Sequence, residues 1–382
     1  MAKLLSKLPN TGTTIFTVMS ALAKEHRAIN LSQGYPDFDC DDVLKELVYK
    51  YMKEGFNQYA PMRGIDPLLE SITNKVQALY DLQTTPGDEV TVTSGAAEGI
   101  YTAITTLVHP GDEVIVIDPA YDLYKPAIEL NGGIPVVYEL VAPEFQIDWE
   151  ALGALVTERT KAIVINTPHN PIGRVMSAED MQALQKLVVE RDLFVVSDEV
   201  YEHLVFDDQR HESVLRYPEL YQRSFVIFSF GKTFHITGWR LGYCVAPPML
   251  TAEFRKVHQF DVFSICTPMQ YALAEYLRDE STYLALPRFF QEKRDFLAEK
   301  LKNSRLRPLP SKGSYFQLYQ YDQISDKMDV DFAREMTIKH GVAAIPITVF
   351  YDNPDPASRI IRLCFAKTEE TLEKAADRLV KM

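Results

Sequence analysis

A single lysine stands in the segment SFGKTFHITGWRLG, residues 229–242, where it follows the apolar run SFVIF that is typical of a buried strand. A buried ammonium without a partner costs several kcal/mol, so we expect a chemical partner for Lys232. Ser229 and Arg240 flank this lysine and together could hold a phosphate, because arginine offers anions a bidentate fork.

A carboxylate and a phenol stand three residues apart in the segment SDEVYEH. Asp198 ends the apolar run FVVSDEV, and a buried carboxylate needs a cationic or hydrogen-donating partner. An acid at an exposed sheet edge would show the same pattern. Asp198 and Tyr201 could face one pocket. Glu202 and His203 do not indicate a zinc site, because no second histidine stands at ligand spacing.

Two loops offer neutral donors at the ends of predicted strands. SGAAEG places small residues at a strand-to-helix join, where the backbone N–H groups of Ala96 and Ala97 could approach an anion. NTPHNPIG presents the amides of Asn166 and Asn170 after the strand AIVIN. A tight turn would explain either loop equally well.

These groups together match the functional groups of one cofactor. Pyridoxal 5'-phosphate has an aldehyde for Lys232, a pyridine nitrogen for Asp198, a ring oxygen for asparagine and tyrosine, and a phosphate for the anion site. A Schiff base would remove the cost of burying the ammonium. Arg362, in the apolar segment IIRLCFA, is either an anchor for a substrate carboxylate or an exposed residue of an edge strand.

Strand-like and helical segments alternate from residue 90 to about residue 248. The apolar runs VTVTS, VIVID, PVVYEL, AIVIN, FVVSDEV, FVIFSFG and GYCVA predict an α/β fold with a mostly parallel sheet covered by helices on both faces. Such sheets bind ligands at the carboxyl ends of their strands. We expect a large domain over residues 41–280 and a smaller α+β domain over 281–382, which residues 1–40 join.

The composition restricts the function classes. The chain has 382 residues and a net charge of −13, which argues against nucleic-acid binding. It contains no run of 18 apolar residues and no secretory leader pattern, so we expect no membrane span and a cytoplasmic location. The spacing of the four cysteines predicts free thiols.

Eight segments occur in the order found in a known enzyme family: NLSQGYPDF, NQYAPMRG, SGAAEG, DPAYDLY, NTPHNPIG, SDEVYEH, SFGKTFHITGWRLGY and IIRLCFA. As a set they resemble the class I/II aminotransferases, which are pyridoxal-phosphate enzymes of fold type I. Further segments, such as RKVHQF and HGVAAIP, are most similar to bacterial methionine aminotransferases and to the branch of kynurenine aminotransferase and glutamine transaminase K. The resemblance implies an amino acid and a 2-oxo acid as substrates, ping-pong kinetics, and a homodimer with active sites at its interface.

The resemblance also implies roles for individual residues. Lys232 would be the Schiff-base lysine and proton shuttle, assisted by Asp198 and Tyr201. The cofactor would be held by residues of the loops named above and by one residue of the neighbouring subunit: Ala96, Ala97, Tyr121, Asn166, Asn170, Asp198, Tyr201, Ser229, Lys232, Arg240 and, across the interface, Tyr59. Arg362 would bind the substrate carboxylate with Asn170 and the Gly34 backbone.

The residues expected near the substrate side chain are apolar and aromatic: Phe16, Tyr35 and, from the neighbouring subunit, Phe263. They favour apolar, thioether or aromatic amino acids, methionine first, over dicarboxylates, which would need a further cation. The alternatives are kynurenine or glutamine specificity, a C–S β-lyase acting on cysteine conjugates, and a non-catalytic sensor. A sensor of this kind usually carries an added DNA-binding domain, whereas this acidic sequence shows no basic helix-turn-helix stretch, so we do not expect a sensor.

Overall fold

The computed structural model describes residues 4–9 and 11–382, so residues 1–3 and 10 of the predicted N-terminal segment lie outside the described residues. Near the N-terminus are helix α1 (Ile15–Glu25) and the short strand β1 (Ile29–Asn30). Strand β1 pairs in parallel with β11 (Val342–Ala343), which joins the N-terminal segment to the C-terminal part of the chain.

A seven-stranded sheet forms the centre of the fold. Its strands are β2 (Val90–Thr93), β3 (Glu113–Asp118), β4 (Ile134–Glu139), β5 (Thr160–Asn166), β6 (Phe194–Asp198), β7 (Ser224–Ser229) and β8 (Gly242–Val245). Their spatial order is β2-β8-β7-β6-β5-β3-β4. The five strands β3 to β7 are parallel to one another, whereas β8 runs antiparallel to both of its neighbours, β2 and β7. The predicted α/β fold with a mostly parallel sheet is confirmed.

Helices cover both faces of this sheet. In chain order they are α2 (Asp42–Lys53), α3 (Asp66–Tyr80), α4 (Pro86–Glu89), α5 (Gly95–Leu107), α6 (Tyr124–Leu130), α7 (Trp149–Gly153), α8 (Ala178–Glu190), α9 (Pro218–Tyr221), α10 (Phe230–Thr233), α11 (Pro248–Asp261) and α12 (Thr267–Tyr276). Alternate strand residues belong to different apolar clusters: Val114 and Val116 pack with α5, α6 and α11, whereas Ile115 and Ile117 belong to the cluster on the opposite face. Two buried faces explain why the strands are apolar throughout.

A smaller antiparallel sheet lies in the C-terminal part. The elements there are α13 (Ser281–Leu284), α14 (Leu286–Leu301), β9 (Arg307–Pro308), β10 (Phe316–Gln320), α15 (Asp329–Glu335), β12 (Ile345–Pro346), β13 (Ile360–Cys364) and α16 (Glu369–Leu379). The strand order is β12-β13-β10-β9. Arg362 therefore lies on an interior strand and is fully buried, so the interpretation of an exposed edge residue is wrong.

Two further predictions concern the whole chain. All four cysteines are free thiols. In the described residues, no helix is both long and apolar enough to cross a membrane. The domain boundaries stay a prediction.

Candidate active site

Three polar residues end neighbouring strands of the central sheet at the same edge. Asn166 ends β5, Asp198 ends β6 and Ser229 ends β7. Asn166 pairs with Asp198 in the register, and Asp198 pairs with Ile227. Because these strands are parallel, their carboxyl ends and the loops that follow them meet at one place.

One cavity at this edge collects most of the residues predicted to hold a cofactor. Its lining includes Ala96, Ala97, Tyr121, Asn170, Asp198, Tyr201, Ser229, Lys232 and Arg240. The cavity is also lined by residues for which the sequence predicted no role, which are Ile100, Val200, Gly231 and Thr237. The cavity thus brings a lysine, a carboxylate, an amide, two phenols and an arginine together.

Lys232 is held at the start of a single helical turn. The Ser229 hydroxyl accepts the backbone N–H of Lys232 at 3.2 Å and so caps α10. The Lys232 Nζ donates to the Gly34 carbonyl oxygen at 3.0 Å. Burial lowers the pKa of Lys232 to about 8, although the negative charge of Asp198 opposes this change. A lysine in this state provides a substantial fraction of free amine near neutral pH, which is the nucleophilic form.

Asp198 is a buried carboxylate with two donors. Its Oδ2 accepts the hydroxyl of Tyr124 at 2.5 Å, and its Oδ1 accepts the backbone N–H of Val200 at 3.3 Å. Burial raises the pKa of Asp198 to about 6, while the Tyr124 hydrogen bond acts in the opposite direction. Asp198 is 4% exposed, so the alternative of an acid at an exposed sheet edge is wrong. The Asp198 carboxylate therefore stays mostly ionised at neutral pH and can accept a hydrogen bond from a protonated ring nitrogen.

Tyr124 is a site residue that the sequence analysis missed. It begins α6, three residues after Tyr121, and only 3% of it is exposed. The available signal was the second tyrosine in DPAYDLY, because a buried phenol hydroxyl needs a polar partner.

The two asparagines have different positions. Asn166 stands behind the cavity, where its Nδ2 donates to the Asp198 carbonyl at 2.9 Å and its Oδ1 accepts the Asn170 backbone N–H at 2.6 Å. Its side chain is not among the cavity lining, although the sequence analysis expected a cofactor contact. Asn170 lines the cavity, and its Oδ1 accepts Arg362 Nη1 at 2.7 Å. An amide held in this way presents its Nδ2 donor on the other side.

The N-terminus of α5 forms a small cradle beside Arg240. Gly95 has a left-handed φ of +74°, and a Cβ built there would lie 2.6 Å from the Arg240 guanidinium. A Cβ on Gly242 would lie 2.9 Å from the backbone nitrogen of Ala96. Glycine is required at these positions because a methyl group would fill the space. Free N–H groups, the positive end of a helix dipole and a guanidinium together suit a phosphate.

Arg362 is a fully buried cation whose two Nη groups are both hydrogen-bonded. Its Nη1 and Nη2 groups donate to Asn170 and to the Ser32 carbonyl, the latter at 3.0 Å. Its Nε is buried and has no hydrogen-bond partner among residues 4–9 and 11–382. The Phe316 ring lies 3.8 Å from the guanidinium carbon and fixes its plane. Burial lowers the pKa of Arg362 to about 10, so the group remains charged at neutral pH.

The Gly34 loop contacts both Lys232 and Tyr315, the residue before β10. The Gly34 carbonyl accepts the hydroxyl of Tyr315 at 2.5 Å as well as the Lys232 ammonium. A Cβ on Gly34 would lie 2.8 Å from Phe316. The next residue, Tyr35, is 48% exposed, and its carbonyl accepts the buried Lys367 ammonium at 2.6 Å. Tyr315, Phe316 and Lys367 were not predicted, because nothing local in the sequence ties them to Gly34.

The remaining predicted residues divide into two groups. Phe16 is partly buried, and its ring lies 5.4 Å from the Arg362 guanidinium. Tyr59 and Phe263 are 82% and 53% exposed, and their rings meet edge to face at 5.3 Å. These two do not line the cavity of their own chain. Their predicted place in the site of a neighbouring subunit stays a prediction.

A second cavity lies away from this site. It is larger, about 680 Å³ against about 140 Å³ for the Lys232 cavity, and lies between the end of α3, residues 202–216 and α14. Glu202 and His203 line it, and the Glu202 carboxylate is neutralised by Lys75 at 2.5 Å. No lysine lines this larger cavity. Within the described part of the chain, no group of three or more His, Cys, Asp or Glu residues is placed to hold a metal ion.

Comparison with known proteins decides the family. Residues 26–379 match the family described as aminotransferase class I and II. This chain belongs to the class I and II aminotransferases. The aminotransferase is 52% identical to methionine aminotransferase of Escherichia coli K12 over 375 residues, which cover 98% of this chain and 97% of the relative. It is 33% identical to kynurenine–oxoglutarate transaminase of Dictyostelium discoideum over 410 residues, with coverage of 97% and 94%.

A solved structure shows the same fold. The aminotransferase is similar to Escherichia coli YbdL, for which a methionine aminotransferase function is described, with a TM-score of 0.97, 50% identity and complete coverage of both chains. The predicted resemblance, the fold type and the enzyme class are therefore confirmed.

Proposed function

We propose that this aminotransferase moves the α-amino group of an apolar, thioether or aromatic amino acid, with methionine preferred, to a 2-oxo acid, using pyridoxal 5'-phosphate. The position of the Lys232 amine carries the proposal. It lies in one cavity with the buried carboxylate of Asp198, beside a cradle completed by Arg240. The similarity to methionine aminotransferase supports the choice of substrate.

The cavity fits the cofactor group by group. Asp198 is ionised and would hold the proton of the ring nitrogen, while Tyr124 keeps its second oxygen occupied. Asn170 Nδ2 and the Tyr201 hydroxyl would donate to the ring oxygen, and Tyr121 would cover a ring face. Burial raises the pKa of Tyr201, so its hydroxyl remains a donor.

The cradle fits the phosphate. Ala96, Ala97, Ser229 and Arg240 all line the same cavity, and their backbone N–H groups, hydroxyl and guanidinium would bind the phosphate. The closeness of Gly95 to Arg240 supports this assignment, because a Cβ at 2.6 Å would push the guanidinium away from the N-terminus of α5. Tyr59 of a neighbouring subunit would complete the set.

The residues of the chain supply binding and proton transfer. When bound, pyridoxal 5'-phosphate supplies an aldehyde that accepts the amino group and a ring that delocalises the electrons of the substrate α-carbon. Arg362 would take the substrate carboxylate with its free Nε–H, beside Asn170. The Lys232 amine would remove the α-proton of the substrate and would return a proton to the former aldehyde carbon of the cofactor. Since two substrates use the same groups in turn, the kinetics should be ping-pong.

The residues around the Arg362 guanidinium are aromatic. The Phe16 and Phe350 rings lie 5.4 Å and 5.6 Å from it. Arg63, the cation of the segment NQYAPMRG, is paired with Asp66 at 2.8 Å. The aromatic rings offer no charged partner to a second substrate carboxylate, whereas a thioether or aromatic side chain gains apolar and sulfur–aromatic contacts with them.

A homodimer is part of the proposal. Tyr59 and Phe263 form an exposed aromatic pair outside their own cavity, which suits residues lent to a neighbouring subunit. The cytoplasmic location stays a prediction.

An amino-donor panel tests the proposal. Methionine, phenylalanine, glutamine, kynurenine and aspartate are compared at one fixed 2-oxo acid, with kcat/KM as the measure. Methionine should lead and aspartate should be poorest; a preference for aspartate would refute the reading of the pocket. Release of pyruvate from a cysteine thioether without any 2-oxo acid would show C–S lyase activity instead.

Two variants test the residue roles. Lys232→Ala should abolish both turnover and the visible absorbance of the loaded enzyme. An active, still yellow Lys232→Ala protein would contradict the assignment. Asp198→Ala should lower kcat far more than it changes KM for the amino acid, because the carboxylate acts on the ring and not on the substrate.

A further inference from the structure

A fully buried histidine outside the cavity bridges two segments that the proposed function uses. His258 lies on α11 and has no exposed surface. Its Nδ1 is 2.8 Å from Glu98 Oε1, and its Nε2 is 3.2 Å from the carbonyl oxygen of Met62. Glu98 belongs to the first turn of α5, and Met62 belongs to the segment NQYAPMRG that carries Tyr59.

The partners of His258 bear on which of its ring nitrogens carry a proton. A backbone carbonyl can only accept, so Nε2 must donate to Met62. Glu98 receives the Ser94 N–H at 2.9 Å and the Thr102 hydroxyl at 2.7 Å, which is the pattern of an ionised carboxylate. A proton on each ring nitrogen would satisfy both acceptors, and His258 would then form a buried ion pair with Glu98.

The contact between His258 and Glu98 lies next to the phosphate cradle in the chain. Glu98 holds the N–H of Ser94, and the next N–H groups along the chain are those of the cradle. An unpaired carboxylate in the first turn of this helix would repel a phosphate at the same helix end. A protonated His258 would cancel that charge, and its contact at 2.8 Å fixes the carboxylate that accepts the Ser94 N–H.

The other side of His258 holds the segment that carries Tyr59. Three alternate carbonyls of this segment accept hydrogen bonds from residues 258–267: Gln58 from Thr267 at 2.5 Å, Ala60 from Ser264 at 2.9 Å, and Met62 from His258. The backbone on both sides of Tyr59 is thus tied to residues 258–267, and His258 in this stretch also contacts Glu98 beside the cradle.

We infer that His258 is a positioning residue that couples the phosphate cradle of each subunit to the Tyr59 segment it lends to its partner. The inference rests on the proposed cofactor and dimer. It predicts that the two cofactor sites of a dimer are not independent, because one histidine supports an element of each.

A double-mutant cycle on cofactor affinity tests the coupling. Cofactor-free wild type, His258→Leu, Tyr59→Phe and the double variant are titrated with pyridoxal 5'-phosphate, and sedimentation follows the dimer. His258→Leu removes two hydrogen bonds and should weaken binding about tenfold or more. Its effect should be clearly smaller in the Tyr59→Phe background, because part of it acts through Tyr59. Equal effects in both backgrounds would overturn the coupling.

Two further variants separate positioning from general destabilisation. His258→Gln keeps an N–H donor for one of the two partners and should bind the cofactor with intermediate affinity. If His258→Leu does not fold, the cofactor affinity of His258→Gln tests the role of His258 instead. His211→Gln is the matched control, since His211 is another buried histidine paired with a glutamate, Glu199, at 2.8 Å. This control should change cofactor affinity by less than about twofold even if it lowers the melting temperature. An equal loss in both histidine variants would show a merely structural role.

The failure of this inference is distinguishable from the failure of the proposed function. If the wild-type protein binds no pyridoxal 5'-phosphate, the proposed function is wrong. If the wild type binds it and His258→Leu binds it equally well, only the role of His258 is wrong.

Discussion

Removing the hydroxyl of Tyr124 tests how the protein keeps Asp198 ionised. Tyr124→Phe deletes the O–H that donates to Asp198 Oδ2 at 2.5 Å and leaves the buried ring in place. The remaining donor, the Val200 N–H at 3.3 Å, is too distant to replace it.

The magnitude follows from the charge of the acceptor. A hydrogen bond contributes about 1.5–3 kcal/mol to a charged group and about 0.5–1.5 kcal/mol to a neutral one. The difference, about 1–1.5 kcal/mol, should raise the pKa of Asp198 by about one pH unit. Burial already holds this pKa at about 6, above its usual value of 3.8.

The sign of the pH dependence follows from linkage. The folded protein binds the Asp198 proton more tightly than the unfolded chain does. The free energy of unfolding therefore falls as pH rises from the usual pKa of Asp198 to its folded pKa. In Tyr124→Phe the folded pKa should be about one unit higher, so the free energy of unfolding should keep falling over about one further pH unit. At pH 5.5 the free energy of unfolding of Tyr124→Phe should fall below that of the wild type only by the loss of a hydrogen bond to a neutral carboxyl group. At pH 8 the difference should be larger by about 1–1.5 kcal/mol.

Urea unfolding of the cofactor-free protein at both pH values measures this difference. Tyr319→Phe is the matched control, since Tyr319 is equally buried and its hydroxyl has no partner within the part of the chain that the structure describes. The control should show no pH-dependent change. A loss in Tyr124→Phe that is the same at both pH values would refute the argument that this hydroxyl stabilises the ionised form.

Three further predictions concern binding. The rate at which the cofactor-free protein captures pyridoxal 5'-phosphate should rise with pH through about 8, because the Lys232 amine and not its ammonium attacks the aldehyde; a flat stopped-flow rate would contradict this. Arg362→Lys loses the planar fork on Phe316, so KM for methionine should rise about tenfold or more while kcat changes less. Gly95→Ala should weaken pyridoxal 5'-phosphate binding about tenfold or more. Gly111→Ala is the control, since Gly111 has a similar φ of +93° but open space around it, and this variant should lower stability without changing affinity. Equal affinities of the two variants in a binding titration would disprove the cradle.

Much of the site could be predicted because its signals are local. Asn170, Asp198 and Lys232 each lie at or just after the end of an apolar strand, and parallel strands bring their carboxyl ends to one edge. The antiparallel direction of β8 carried no such signal, although it places Gly242 against the α5 cradle. Arg362 remained ambiguous, since alternation along a strand does not distinguish an interior strand from an edge strand.

The amino-acid sequence by itself determined which reacting groups exist and which strand ends carry them, because periodicity and loop composition are properties of neighbouring residues. Only the tertiary structure decided their partners. Lys232 meets Gly34 across 198 positions, and Arg362 meets Ser32 across 330. Tyr124 and His258 acquired their partners in the same way. Such contacts depend on the order of the strands and on the packing of the small sheet against the large one, which no local pattern encodes.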